Sequence, residues 1–235
     1  MKGKLFLIPT AIAEGIQDVA LTTQTKADLL SIHHFLAENI RTARRYLSSL
    51  HIYDSIETLT FEVLDKNTSL EDAGKMLRPL YEGKHIGVLS ESGCPGIADP
   101  GALAVRVAHE NAITVVPLVG PSSILLALMG SGLNGQQFAF NGYLPINADE
   151  ASKAIRTFEK ESRLKGQTQI FIETPYRNKS IFQTLVKTLS ENTLLTVACD
   201  LTGSTEFIKT TTVNAWKKTL PDLQKIPTVF LFLAQ

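Results

Sequence analysis

The residues with the clearest chemical potential lie in two turns rich in glycine and proline. The first, Ser90-Glu91-Ser92-Gly93-Cys94-Pro95-Gly96-Ile97-Ala98-Asp99-Pro100-Gly101, follows the apolar run His85–Leu89, and the second is Gly120-Pro121-Ser122-Ser123. Glycines in such turns let a ligand approach main-chain N–H and C=O groups closely. In the second turn, amides at a helix start and two hydroxyls would face a ligand together, the structural alternative being a helix cap. Two such turns predict a shared site lined mainly by backbone. No G-x-x-x-x-G-K-[ST] is present and no G-x-G-x-x-G follows a predicted strand, which removes the kinase and dehydrogenase readings. Ser90-Glu91-Ser92-Gly93 falls short of a nucleophile elbow, because serine stands where that motif needs its first glycine. His33, His34, His51, His85 and His109 show no metal-ligand spacing, and no metal site is expected.

These turns are positioned by short apolar runs that alternate with helix-period segments along the whole chain, the pattern of an α/β fold. The predicted strands are 5–8, 32–37, 58–63, 85–89, 113–117, 138–143, 169–173, 194–199, 207–210 and 228–233. A helix is expected from a cap at Asn67 or Thr68 to Tyr81, with Gly83 as its stop, another over 40–50, and a third from Ala151 toward Leu164. Lys153, Arg156, Lys160 and Arg163 of the third read as a solvated face. The turn Val119-Gly120-Pro121 divides the chain into two α/β domains, 1–118 and 119–235, and a cleft between two such domains is a default ligand position.

Lysine plus arginine and aspartate plus glutamate both total 23 in 235 residues, so any nucleic acid has to be held by local patches rather than by overall charge. Cys94 and Cys199 form no disulfide framework, which points to a reducing cytoplasm. No signal peptide is expected, since the first apolar run ends at Pro9. Asn111–Ala148 holds 38 residues without a charge, yet Pro117, Gly120, Pro121, Gly130, Gly132 and Gly135 interrupt it, so it reads as strand, turn, buried helix and strand, with no membrane span.

The segments LSESGCPGIADPG at 89–101, VVPLVGPSS at 115–123, SGL at 131–133 and GYLP at 142–145 resemble the tetrapyrrole methylase superfamily. With GKLFLIPT at 3–10, AENIR at 37–41 and IETPYR at 172–177, the resemblance covers nearly the whole chain in order. It is nearest to the branch that 2′-O-methylates a cytidine of small-subunit ribosomal RNA. The superfamily implies two α/β domains with S-adenosylmethionine between them, a homodimer, and no Rossmann glycine fingerprint. Carried over by motif, the donor contacts are Pro9, Ser92, Gly93, Cys94, Ile97, Ser122, Ser123, Glu173 and Leu201. Departures cluster where substrate would bind: P-T-P-I-G-N is Pro9-Thr10-Ala11-Ile12-Ala13-Glu14, A-E-D-T-R is Ala37-Glu38-Asn39-Ile40-Arg41, and R-E-L-T-K is Cys199-Asp200-Leu201-Thr202-Gly203.

The leading activity implied is methyl transfer to an oxygen of ribosomal RNA or the small ribosomal subunit, a displacement that needs alignment and no metal. Glu38 is the expected base or hydroxyl-orienting group, its alternative being an ion pair with Arg41. Arg41, Arg44 and Arg45, at i, i+3 and i+4, would meet phosphate, the alternative being a solvated helix face. A tetrapyrrole C-methyltransferase and a non-catalytic S-adenosylmethionine-binding protein are the other two readings.

Overall fold

The strands Leu5–Ile8 (β1), Ile32–Ala37 (β2), Thr60–Val63 (β3), His85–Leu89 (β4) and Val115–Pro117 (β5) form one sheet in the order β3-β2-β4-β1-β5, every pair parallel. A parallel strand covered by helices on both faces has no wet side, which is why β1 and β4 are apolar at almost every position. The helices are Thr23–Leu29 (α1), Ile40–Ser49 (α2), Leu70–Met76 (α3) and Ala102–Glu110 (α4). Leu29, Ala43 and Leu47 pack with Phe6, Ile8 and Phe35 against one face of the sheet. Ala73, Leu77, Ala104 and Val107 pack with Leu5, Leu36, Ile86 and Val88 against the other.

A second sheet contains Phe138–Tyr143 (β6), Thr168–Glu173 (β7), Leu194–Cys199 (β8), Phe207–Thr212 (β9) and Thr228–Leu233 (β10), in the order β6-β7-β10-β8-β9. Only β6 and β7 are parallel; the other pairs are antiparallel. Ser123–Ser131 (α5) covers one face through Ile124, Ala127 and Leu128. Ala148–Lys165 (α6), Asn178–Thr188 (α7) and Val213–Trp216 (α8) cover the other, where Phe182 meets Trp216 edge to face.

This computed structural model describes residues 1–13, 15, 16, 21–223 and 225–235. Its two units are Met1–Ser122 and Ser123–Gln235, each an α/β body around its own sheet. Residues 119–122 fall with unit 1 rather than unit 2 because they are tied there: Thr25 donates its hydroxyl to the Val119 carbonyl at 3.1 Å, and the Cys94 thiol donates to the Pro121 carbonyl at 3.4 Å. The helix expected from 67 or 68 to Tyr81 instead starts at a Ser69 cap and, at Leu77, gives way to a 3₁₀ segment, Arg78–Glu82. Pro79 supplies no N–H for the α ladder, and the tighter turn results before the chain reverses at Gly83. The uncharged stretch 111–148 resolves into β5, α5 and β6, and among the described residues no helix is long and apolar enough to cross a membrane.

Candidate functional site

The carboxyl ends of β1 and β4 are neighbours in sheet 1. The chain leaves β1 through α1 on one face of the sheet and leaves β4 through α4 on the other. Ligands of open α/β sheets bind at the carboxyl ends of strands whose connections part in this way. Here the two strand ends are stitched together. The Thr10 N–H donates to the Gly93 carbonyl at 2.8 Å, and the Gly93 N–H donates back to the Thr10 carbonyl at 3.3 Å. The buried Ser90 hydroxyl donates to the Gly93 carbonyl at 2.6 Å and shares a 3.2 Å bond with the Thr10 hydroxyl. Gly93 holds φ at 76°, a left-handed conformation open to glycine at no steric cost. The Gly120 turn closes against the end of β1 because Gly120 has no side chain: a Cβ there would lie 2.2 Å from Pro9 Cγ. Tyr46 of α2 donates its hydroxyl to the Pro9 carbonyl at 3.2 Å, so the same helix is tied to the end of β1.

Beside this seam lies a cavity of about 520 Å³, within the range of small-molecule sites. Its lining combines Thr10 and the loop residues Ser90, Glu91 and Ser92 with Thr42, Arg45 and Tyr46 of α2. A second cavity of about 430 Å³ is lined by Glu38, Asp65 and Asp99, among others. Glu91 of the glycine loop and Asp99 lie near each other and near Glu38, Glu91 lining the first cavity together with Thr42 of α2 and Asp99 lining the second together with Glu38. Burial raises both carboxyl groups above their ordinary pKa values, and the negative charge of Glu38 raises them further.

The helix with the arginines starts where Asn39 caps it, accepting the N–H groups of Arg41 at 2.9 Å and Thr42 at 3.3 Å. Of the three arginines, Arg45 lines the first cavity, whereas Arg44 lies 5.5 Å from the centre of the Phe61 ring and Arg41 is exposed outside the lining. Among the described residues no ion pair joins Glu38 to Arg41. Glu38 precedes the cap and lies outside the helix, so the two do not share a helical face. Gly93 is buried, Cys94 and Ser122 are half-buried, and Ser92 and Ile97 are exposed.

In unit 2, Ser123 opens α5, and Leu201 is buried in a turn whose neighbours Asp200 and Thr202 both have positive φ, 47° and 69°. The Asp200 carboxylate holds that turn by accepting the Thr205 N–H at 2.9 Å and its hydroxyl at 2.6 Å. Glu173, at the end of β7, has a side chain only 1% exposed; it accepts the Thr174 N–H at 2.8 Å and pairs with Arg177 at 3.2 Å. The ion pair turns that carboxylate toward its own unit, although among the described residues Oε2 has no hydrogen-bond partner, and the main chain at this position is left for any ligand. Sequence reasoning missed Thr10, Tyr46, Glu91 and Asp99 as site residues. The two acids could have been found as the carboxylates inside the glycine-rich turn, whereas Tyr46 carries no local signal. Among the described residues no group of three or more His, Cys, Asp or Glu is placed to hold a metal ion.

The chain is 31% identical over 220 residues to the ribosomal RNA small subunit methyltransferase I of Escherichia coli O157:H7, an alignment covering 92% of this chain and 73% of that protein. The chain belongs to the ribosomal RNA small subunit methyltransferase I family. The Bacillus subtilis (strain 168) member is 32% identical over 211 residues, covering 89% of this chain and 68% of its own. No family model matches the chain. Among solved structures, the methyltransferase CobJ superposes with a TM-score of 0.64 at 18% identity, covering 99% of this chain and 94% of its own, a likeness of fold. The two-domain α/β methylase architecture and S-adenosylmethionine as methyl donor both follow for this family member.

Proposed function

We propose that the chain transfers a methyl group from S-adenosylmethionine to a ribose 2′-hydroxyl of small-subunit ribosomal RNA. The observation that carries this reading is that one cavity is lined by Ser92 of the glycine-rich turn and by Arg45 of α2, so a donor loop and a phosphate-binding cation open onto the same space. The names of the relatives support RNA as the acceptor. The tetrapyrrole alternative has behind it the superfamily resemblance and the fold likeness to CobJ and to a uroporphyrin-III-C-methyltransferase, at 18% and 15% identity.

The residues fit the donor. Glu91 and Asp99, with Glu38 beside them, create a negative field whose carboxylates are already disfavoured as anions by burial and mutual repulsion, and a cation placed there relieves both. S-adenosylmethionine, when bound, supplies a methyl group on a positively charged sulfur. Gly93 and Gly120 keep side chains off the seam, leaving main-chain groups of the loops for recognition. From unit 2 the reading retains Ser123, Glu173 and Leu201 as donor contacts on the strength of their motifs, Glu173 through its main chain.

Arg45 holds a phosphate of the acceptor strand, with Arg41 and Arg44 as outer contacts. Glu91, raised toward a more basic pKa, orients the ribose hydroxyl and takes its proton, with Glu38 as the second carboxylate in reach of the same loop. Asp99 adds to the negative field of the loop, close enough to Glu91 and Glu38 for their charges to raise its own pKa beyond the effect of burial. Held alignment can supply about 7–11 kcal/mol of the barrier in favourable cases, so this site needs little further chemistry. The active species is taken to be a homodimer in the cytoplasm, supported by the family resemblance and by the free thiols of Cys94 and Cys199.

The test is transfer of labelled methyl groups to small ribosomal subunits. Glu91→Gln is expected to lower kcat by about 10²-fold or more, the low end for a proton-transfer group, and to weaken donor binding as well, since it neutralises one carboxylate of the field around the donor. Arg45→Ala should raise KM for the RNA. No methyl transfer to RNA by the wild-type chain, together with tight donor binding, would overturn the acceptor assignment.

A further inference from the structure

The cations of this chain are not evenly spread: residues 1–122 carry 11 Lys and Arg against 14 Asp and Glu, and residues 123–235 carry 12 against 9. Part of the excess in unit 2 is gathered in one place. Between α6 and α7 runs a groove of about 580 Å³ lined by Lys153, Arg156 and Lys187, together with Ser152, Ser180 and Thr184. Asp149 is the single carboxylate in the lining. The three cations are exposed, and among the described residues none of them makes an ion pair or side-chain hydrogen bond. Elsewhere Lys75, Lys84 and Arg106 are each paired with a carboxylate within 3.2 Å.

The hydroxyls of the groove also suit an anionic partner only in part: Ser152, Ser180 and Thr184 donate to carbonyls of their own helices, so recognition falls to the cations. The apolar faces of both helices are already used, Ala151 and Ile155 of α6 and Ile181, Phe182 and Leu185 of α7 being buried in the core of unit 2. A membrane surface would need an apolar face to insert, and the lining of the groove carries none. A groove with a positive excess, no apolar side chain larger than Ala148 and no preset carboxylate partner fits a chain of phosphates.

We propose that this α6–α7 groove is an electrostatic docking surface for the phosphate backbone of ribosomal RNA, formed by Lys153, Arg156 and Lys187. It serves as a contact outside the methyl-transfer cavity and reverses the reading of Lys153 and Arg156 as merely solvated. RNA as the partner rests on the function proposed above. The surface holds the substrate; it contributes nothing to the transfer step.

The test is filter binding of a small-subunit ribosomal RNA transcript as a function of salt, which needs no turnover, alongside methyl transfer to whole small subunits. The variant Lys153→Gln/Arg156→Gln/Lys187→Gln should reduce the slope of log K against log salt by about 2–3, at about 0.7–0.9 per phosphate contact. For three duplex contacts that removes about 40-fold of the affinity lost between 50 and 200 mM salt. Its kcat at saturating RNA and its affinity for S-adenosylmethionine should match wild type. The control Lys75→Gln/Lys84→Gln/Arg106→Gln changes net charge equally and should leave the slope unchanged. An unchanged slope in the groove variant, an equal fall in the control, or loss of binding to phosphatidylserine vesicles without loss on RNA would each overturn the proposal. RNA binding that depends on the groove in a chain that methylates no RNA would uphold the docking surface while refuting the function proposed above.

Discussion

The Ser90 hydroxyl is the pin of the seam between β1 and β4, and its removal allows a worked test. In Ser90→Ala the Gly93 carbonyl keeps the Thr10 N–H, but the Thr10 hydroxyl, in a residue only 4% exposed, loses its partner. An orphaned buried hydroxyl costs about 1–3 kcal/mol. Thr10→Val is gentler, since Ser90 still donates to Gly93 at 2.6 Å, and the expected cost is about 0.5–1.5 kcal/mol. In the double variant no hydroxyl is left unpaired, so its cost should fall short of the sum by about 1 kcal/mol. The reporter has to read unit 1, because the single tryptophan, Trp216, lies in unit 2. Hydrogen exchange of the Thr10 and Gly93 amides, which bridge the seam, does so. Exchange should accelerate about 5- to 150-fold in Ser90→Ala, at 1.36 kcal/mol per tenfold. Calorimetry should show weaker S-adenosylmethionine binding in the same variant. Strictly additive effects, or exchange unchanged in Ser90→Ala, would refute the coupling of the two hydroxyls.

Three further outcomes are expected. Glu91 and Asp99 have folded pKa values raised above 4.5 and 3.8, so their protonated forms stabilise unit 1 and that contribution is lost as pH rises through the raised values; Glu91→Gln should flatten the decline seen by hydrogen exchange across this window. Arg177→Ala strands the buried Glu173 carboxylate and should cost about 3 kcal/mol, the low end for a broken buried pair because Arg177 itself is 26% exposed; urea unfolding followed by Trp216 fluorescence checks it, and an unchanged midpoint would contradict it. Methyl transfer should persist undiminished in excess chelator, and activity lost with chelator and restored by a divalent ion would show that a metal takes part.

Period and punctuation in the sequence were enough to determine both sheets nearly strand by strand, because strands that feed a core show as short apolar runs, whether parallel or antiparallel, bounded by turn residues. The glycine-rich turn after β4 and the Gly120-Pro121 turn were legible for the same reason: their residue types serve a backbone conformation, which is a local property. The loss of α-helical geometry after Leu77 was equally local, carried by Pro79, though the tighter 3₁₀ continuation was not anticipated. Spacing alone could not separate three arginines at i, i+3 and i+4. Only packing decided that Arg44 lies over Phe61 while Arg45 lines the cavity. Nor could sequence show that Glu38, one residue before the Asn39 cap, stands off the helix that carries Arg41. Glu173 matched a donor motif as a letter, yet burial and Arg177 commit its carboxylate inward. Tyr46 joins the site through a hydrogen bond to Pro9, and Glu91 and Asp99 through cavities they line with α2 and with Glu38, segments far from them in the chain. Local conformational preference is written residue by residue, whereas burial, charge pairing and cavity lining depend on which distant segments the fold brings together, and these only the tertiary structure decided.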